Sequence, residues 1–492
     1  MRSRGRGHSG SAPAIVWFRD DLRLADNPAL AAGVASGRPL ICLYIHDEES
    51  EGVRPLGGAS KWWLHGALDE LERSLHRLGG QLVIMRGKSA RILERVATEC
   101  HAGSMFWNRR YDGAGRGIDE GIKAALTERG IAVESFSALL LHEPWTLKNA
   151  SGEPFRVFTP FWRAALSAPE PLPPLPPPKR LSRHALTGSL EGLACSLASL
   201  ELEPRAPDWA AGLRTTWKRG ENAGQARLAA FLEEGLRGYA NDRDRPDKAS
   251  TSRLSPYLRF GNLSPRQIRQ GAMTAVASGA ARASQRDLDT FLAELGWREF
   301  SYHLLFHNPE VAAENLNRRF DRMPWRHDRR ALRAWQRGET GYALVDAGMR
   351  QLWSTGWMHN RVRMVTASFL IKHLLIDWRE GERWFWDTLV DADPANNAAS
   401  WQWVAGSGAD AAPFFRIFNP ILQGQKFDPH ACYAKRWIPE LAAFPADLIY
   451  RPGADSPDHL PFGTPSKAYA QPIVEHGSAR QRALEAFQGL GE

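Results

Sequence analysis

At 492 residues the chain is longer than a single hydrophobic core usually supports, which predicts two domains. Its 43% hydrophobic and 24% charged content is that of a soluble globular protein, and no apolar run reaches the roughly 18 residues of a membrane helix, which excludes a helical membrane-spanning protein. A net charge of +8 suits a polyanionic partner, while four cysteines (Cys42, Cys100, Cys195, Cys432) set far apart without a CxxC pair argue against a zinc ribbon, a redox pair or a disulfide framework and fit a reducing cytoplasm.

Residues 1–13 are basic, but the apolar stretch that follows, Ala14 to Phe18, is too short for a signal-peptide core, so they read as a flexible arm. From residue 14 to 141, short β-rich runs alternate with amphipathic ones: AIVWF, then DNPALAAGVASG; PLICLYI, then SKWWLHGALDELERSLHRLG; QLVIM, then SARILERVATECHAG; SMFWNRRY, then GIDEGIKAALTERG; finally AVESF. This βαβαβαβαβ order predicts a doubly wound parallel sheet with helices on both faces, because parallel neighbours need crossover connections. The cluster Gly113-Ala-Gly115-Arg-Gly117 follows the fourth strand and is not GxGxxG, so it reads as a turn and helix start. No GxxxxGK[ST] occurs, which argues against a P-loop nucleotidase.

Residues 142–205 read as a connecting segment, and seven prolines in PEPLPPLPPP (169–178) open its linker, since proline fits neither helix interiors nor central strands. From 206 to 492 helical periodicity dominates, in GQARLAAFLEEGL, SPRQIRQGAMTAVAS, DLDTFLAELGWREFSYHLLF, ALRAWQRG, GMRQLWSTGWMHNRVRMVTASFLIKHLLIDW and ERWFWDTLV, which predicts an all-helical second domain. Tryptophan is dense there: ten of the 19 lie between Trp297 and Trp403.

Glu294, Trp297 and Arg298 fall at i, i+3 and i+4, so one helix face carries an acid, an indole and a guanidinium; an exposed Glu–Arg pair beside a core Trp has the same spacing. Asn360, Arg363 and Met364 likewise share a face that solubility alone explains. The segment Leu389 to Gly408 holds Asp391, Asp393, Asn396, Asn397, Trp401 and Trp403 but no histidine, so a metal site is not predicted. Histidines are scattered without HExxH or GxSxG, so a hydrolase is not supported.

Seven motifs in order carry a resemblance that spans Ala14 to about Glu440: VWFRDDLRLADNPAL (Val16 to Leu30), FRVFTPFWRA (Phe155 to Ala164), TSRLSPYLRFGNLSP (Thr251 to Pro265), ELGWREF (Glu294 to Phe300), STGWMHNRVRM (Ser354 to Met364), DWREGERWF (Asp377 to Phe385) and NAASWQWVAGSGADAAPFFRIFNP (Asn397 to Pro420). The chain resembles the photolyase/cryptochrome family, and within it class I cyclobutane pyrimidine dimer photolyases. The resemblance implies an N-terminal α/β antenna domain, a C-terminal helical domain holding FAD, and light-driven repair of pyrimidine dimers in UV-damaged DNA by a monomeric cytoplasmic enzyme without a metal. A cryptochrome-like photoreceptor without repair activity is the alternative.

By the same resemblance, Tyr239, Thr251, Ser252, Arg253, Leu254 and Ser255 would cradle the diphosphate, which hydroxyls and loop amides suit. Arg298, Asn360, Arg363, Asp391, Ala392 and Asp393 would complete the FAD site, with Arg363 pairing Asp391 and Asn397 facing the flavin N5. Glu294, Trp297, Arg298, Asn360, Met364 and Trp403 would meet the flipped lesion. Plant cryptochromes place Asp where this chain has Asn397, and (6-4) photolyases carry a His-His pair where it reads Trp-Met-His-Asn-Arg, which favours dimer repair. Trp401, Trp378 and Trp325 would pass electrons to the flavin, or simply fill the core, with Trp384 or Trp386 as substitutes. Folate-antenna members carry an Asn-Glu pair where this chain has Ala114-Gly115, so the antenna is left open among 5,10-methenyltetrahydrofolate held differently, 8-hydroxy-5-deazaflavin, and none. Arg318, Arg319, Arg322, Arg326, Arg329, Arg330 and Arg333 form either a phosphate-binding cluster or a solvated face.

Overall fold

The computed structural model describes residues 12–411, 415–450, 469 and 471–491, so residues 1–11 of the expected basic arm lie outside it. Five strands, β1 (Ala14–Phe18), β2 (Leu40–His46), β3 (Leu82–Arg86), β4 (Ser104–Asn108) and β5 (Ala132–Phe136), form one parallel sheet in the order β3-β2-β1-β4-β5. Helices α1 (Pro28–Ala35), α2 (Gly58–Arg77), α3 (Ser89–Glu99) and α4 (Gly113–Glu128) make the crossovers. The central register is Val16 with Cys42 on one side and with Phe106 on the other.

The period-2 geometry of the strands sends alternate residues to two different cores. Ile15 and Trp17 pack with Leu93 and Val96 of α3 and Ile122 and Leu126 of α4. Val16 and Phe18 pack with Leu30 of α1, with Trp62 and Trp63 of α2, and onward into the helical half through Tyr239, Tyr257, Phe260 and Phe291. The two halves therefore share a core. The Gly-rich turn after β4 behaves as read: Asp112 caps α4 by accepting the Gly115 amide at 2.7 Å.

The proline-rich segment takes no helix or strand but does not hang free. Asp26 N donates to Leu175 O at 2.8 Å, Leu175 N donates back to Asp26 Oδ1 at 3.0 Å, and Arg183 bridges to Leu40 at the start of β2.

Among the described residues the helical half carries no strand, in accord with its periodicity. One continuous pattern is cut, however. The run from 348 to 378 divides into helices Ala343–Thr355 and Asn360–Ser368, a π-helical turn Phe369–His373, and a new helix Trp378–Thr388. Gly356 causes the first break: at φ +65° it adopts the left-handed conformation that ends helices, and a Cβ there would meet Val390 Cγ1 at 2.7 Å.

Candidate functional site

The loop between Thr388 and Asn396 presents two carboxylates with unequal surroundings. Asp391 Oδ2 accepts from Ser255 Oγ at 2.6 Å and from Arg363 Nη2 at 2.8 Å, while its buried Oδ1 has no hydrogen-bond partner. Asp393 is engaged on both oxygens. Its Oδ1 accepts the Ala395 and Asn396 amides at 2.9 and 2.7 Å, starting the helix Asn396–Ala405, and its Oδ2 accepts from Tyr302 at 2.7 Å. Between them, Ala392 O accepts from Arg259 Nε at 2.7 Å, and Arg259 also pairs with Asp20 beyond β1 at 2.8 Å. Burial alone would raise Asp20, but Arg110, Arg259 and Arg19 together hold its carboxyl down to about 2.

Facing Asp391 is the turn Thr251 to Ser255. Arg227 donates to the carbonyls of Ser252 and Thr251 at 2.7 and 3.0 Å, which turns the Ser252 and Arg253 N–H groups away from it, because each peptide is planar and trans. No protein acceptor among the described residues takes those two donors. Arg253 has φ +54°, the left-handed region that costs a non-glycine residue energy, and its guanidinium lies 5.0 Å from the Trp357 ring centroid. Leu254 is buried, and Tyr239 is buried between Phe231 and Phe291 with its hydroxyl pushed well above its usual range by burial.

On the helix Gln285–His307, Glu294 does not pair with Arg298. Its carboxylate meets Arg243 at 2.5 Å, and burial raises its proton affinity against the opposing charge of Arg243. Arg298 turns inward to donate to Leu139 O at 2.6 Å and lies 4.8 Å from the Tyr302 centroid. The exposed Glu–Arg pair allowed by the spacing is therefore absent, because each partner finds a less hydrated one from another element. Asp244, next to Arg243, pairs with Arg361 at 2.6 Å, so one dipeptide ties the Glu294 helix to the helix that opens with Asn360. Asn360 is exposed and Met364 half-buried. Trp297 is half-buried and stacks on Phe158, with centroids 3.7 Å apart and 10° between planes. Trp403 donates to Asp410 O at 3.0 Å and borders a cavity of about 1070 Å³ that Arg156, Arg319, Lys372 and Arg416 also line.

Asn397 is 8% exposed, and its Nδ2 donates to Glu382 O at 3.1 Å and Glu382 Oε1 at 2.8 Å. Behind it Trp401 and Trp378 belong to one hydrophobic cluster, in which Trp401 meets Trp335 edge-on with ring centroids 6.2 Å apart. Trp401 fills a notch left by Gly381, whose Cβ would lie 2.1 Å from the indole, and it meets Phe385 edge-on at 5.0 Å. Trp378, three residues before Gly381 on the same helix, is buried and donates to Asn315 Oδ1 at 2.9 Å. Trp325 is half-buried at the edge of that cluster. Trp384 instead stacks on the exposed Trp353, and Trp386 lies under Arg54.

Residues 14–179 match the family described as DNA photolyase, and residues 291–489 match the FAD binding domain of DNA photolyase. A deoxyribodipyrimidine photo-lyase of Agrobacterium fabrum is 50% identical over 98% of both chains. The chain belongs to the photolyase/cryptochrome family. Cryptochrome-1 of Arabidopsis thaliana is 39% identical over 99% of this chain and 71% of its own. The crystal structure of a class III photolyase from Agrobacterium tumefaciens superposes with a TM-score of 0.92 at 48% identity over 99% of both chains. That neighbour belongs to class III, whereas the motifs suggested class I.

For this photolyase-family chain the two unoccupied donors of the 251–255 turn and the single free oxygen of Asp391 fit a ligand with anionic oxygens at one end and a hydroxyl at the other, as FAD has. Asp393 has no comparable oxygen to spare. Sequence reasoning missed Arg227, Arg243, Arg259 and the pair Arg54–Glu382. The motif DWREGERWF contains Glu382, but nothing in the sequence marks Arg54, 328 residues away, as its partner. The arginine cluster divides. Arg318 pairs with Glu314, and Arg319 and Arg322 donate to carbonyls at Gly491 and Leu490, while Arg329, Arg330 and Arg333 are exposed.

Proposed function

We propose that this chain is a deoxyribodipyrimidine photo-lyase that carries FAD and repairs cyclobutane pyrimidine dimers in UV-damaged DNA under light. The observation that carries this reading is the 50% identity to such an enzyme across 98% of both chains. When bound, FAD supplies the light absorption and the electron that opens the cyclobutane ring.

The chain supplies position and polarity. Asp391, held by Arg363 and Ser255, offers its free oxygen to a ribityl or ribose hydroxyl, and the Ser252 and Arg253 amides meet the diphosphate. Glu294 presents a carboxyl fixed by Arg243 where charge develops on the lesion, so little reorganisation is needed there. Trp297 and Trp403 give flat apolar surfaces for a flipped dimer. The cationic cavity beside Trp403 meets the phosphates, which releases counterions and makes binding fall with salt.

Asn397, Asn360 and Met364 support a dimer photolyase, the pattern first assigned to class I, but 48% identity to a class III structure makes class III the assignment we favour. The proposal places the enzyme in the cytoplasm as a monomer without a metal. It leaves the antenna open among folate, deazaflavin and none, which the absorption spectrum of a denatured extract distinguishes. The test is to reduce the purified protein chemically, illuminate it with dimer-containing DNA and follow the dimers. Their loss is expected; retention with FAD bound and reduced would favour the cryptochrome-like alternative.

A further inference from the structure

We propose that Arg54, a residue of the α/β half, is a positioning residue that decides which end of the Asn397 amide faces the flavin. The inference rests on the reading that Asn397 borders FAD. Arg54 lies in the loop between β2 and α2, and its guanidinium reaches across to the helix Trp378–Thr388. There it grips Glu382 with two parallel bonds, Nη1 to Oε1 at 2.7 Å and Nη2 to Oε2 at 2.8 Å. The side chain of Glu382 is 4% exposed and that of Arg54 36%, so the acid is buried behind its cation. The Arg54 guanidinium also lies 4.0 Å from the Trp386 ring centroid. Trp386 Nε1 donates to Pro55 O at 2.9 Å, and the Gly58 amide donates to Asp387 at 2.8 Å. The loop and the helix are thus fastened along their length, and Arg54 cannot shift without disturbing that seam.

The two ends of an asparagine amide have nearly the same shape, so its neighbours decide whether the oxygen or the NH₂ points into a site. On its inner side Asn397 meets two acceptors, the Glu382 carbonyl and the Glu382 carboxylate. Both take the NH₂, so the Oδ1 is turned the other way, and among the described residues no protein group donates to it. This arrangement needs Glu382 to accept rather than donate. Among the described residues Arg54 is the one cation that grips the Glu382 carboxylate; without it the carboxylate is free to turn away, which leaves the amide with the carbonyl as its single inner acceptor and loosens its orientation. Arg54, by occupying both carboxylate oxygens, holds Glu382 as an acceptor.

The consequence is redox selection. A flavin N5 carries a hydrogen when the ring is fully reduced and an exposed lone pair when it is oxidised. An amide oxygen accepts from the first and repels the second, so the arrangement favours reduced flavin. A rotated amide would reverse that preference. The α/β half thereby adjusts the cofactor of the helical half through one bidentate ion pair and one amide.

The test is the midpoint potential of bound FAD, measured by spectroscopic redox titration in wild type, Arg54→Ala, Arg54→Lys and Glu382→Gln. A more negative midpoint is expected for Arg54→Ala, with an intermediate shift for Arg54→Lys, whose single ammonium keeps the charge but cannot make both bonds. If Arg54→Ala does not fold, Arg54→Lys against wild type carries the comparison. A double-mutant cycle decides the route: in an Asn397→Ala background the Arg54 substitution should give no further shift. An unchanged midpoint in the Arg54 variants, or an equal shift with and without Asn397, overturns the inference. Wild-type protein that binds no FAD, or that repairs no dimers when reduced, overturns the functional reading instead, so the two failures are separable.

Discussion

Two polar clusters in this molecule use similar residues to opposite ends. At the C-terminal edge of the sheet, between β1 and β4, lies the crevice where open α/β sheets commonly hold a ligand. Here the chain fills that region with its own side chains. Asp21 Oδ1 accepts the Arg19 amide at 2.6 Å and Asp21 Oδ2 accepts from Asn108 at 2.5 Å; Asp119 accepts from Arg19 at 2.5 Å and from Trp107 Nε1 at 2.9 Å. In the helical half, Asp391 receives two donors on one oxygen and none on the other. The difference teaches that a carboxylate marks a binding site through the acceptor it has left over, not through its presence.

Removing one carboxylate from each cluster should therefore give different failures. The largest expected effect is in Asp391→Ala: the folded protein should purify with little or no flavin, checked by absorbance, because the substitution removes the free acceptor and strands Arg363. Retention of FAD at wild-type stoichiometry would remove Asp391 from the site. Asp119→Ala should instead cost about 3 kcal/mol in denaturant unfolding, since it leaves the buried Arg19 without its partner, with flavin content per folded molecule unchanged.

The seam between the halves offers a pH test of the same comparison. Glu299, on the helix Gln285–His307, accepts the Leu141 and His142 amides at 2.9 and 3.1 Å, and burial pushes its carboxyl up from 4.5 to about 7 despite Arg298 and those bonds. The folded state thus holds a proton that the unfolded chain releases earlier. Its contribution to stability is complete below pH 4.5 and is lost as pH rises through about 7. Glu299→Gln should unfold at higher urea than wild type at pH 8 and at nearly the same urea at pH 4.5. A parallel shift at both pH values would mean that Glu299 does not titrate in this window.

The smallest stability effects should accompany a clear functional one. Trp401→Phe keeps most of the ring volume beside Gly381 and should cost under about 1.5 kcal/mol. Trp325→Phe, half-buried, should change stability by no more than about 0.5 kcal/mol. Both should block light-driven reduction of oxidised FAD by external donors while leaving repair intact after chemical reduction. Normal photoreduction in both would assign these indoles to packing, or the electron path to Trp384 or Trp386.

Local signals were legible wherever one element decides the outcome. The alternation of AIVWF and LICLYI with amphipathic runs implies the parallel sheet, and the Gly113-Ala-Gly115-Arg-Gly117 cluster implies a turn and helix start, because strand period and turn chemistry depend on near neighbours in the chain. The break at Gly356 was not legible. The helical pattern continues through it, and the Val390 side chain that requires a glycine there comes from a different loop.

The site divides along the same line. Sequence by itself determined the inventory: seven family motifs, with Asn397 rather than Asp, and a tryptophan-dense stretch. The resemblance implied the pair Arg363–Asp391, which the structure shows, but only the tertiary structure decided the other pairings. Glu294 takes Arg243 instead of Arg298, and Asp391 also takes Ser255 from 136 residues away. Which donor or acceptor is left free depends on every neighbour a group has, and those neighbours are gathered by packing. A carboxylate looks the same in sequence whether it is saturated like Asp393 or keeps one oxygen open like Asp391.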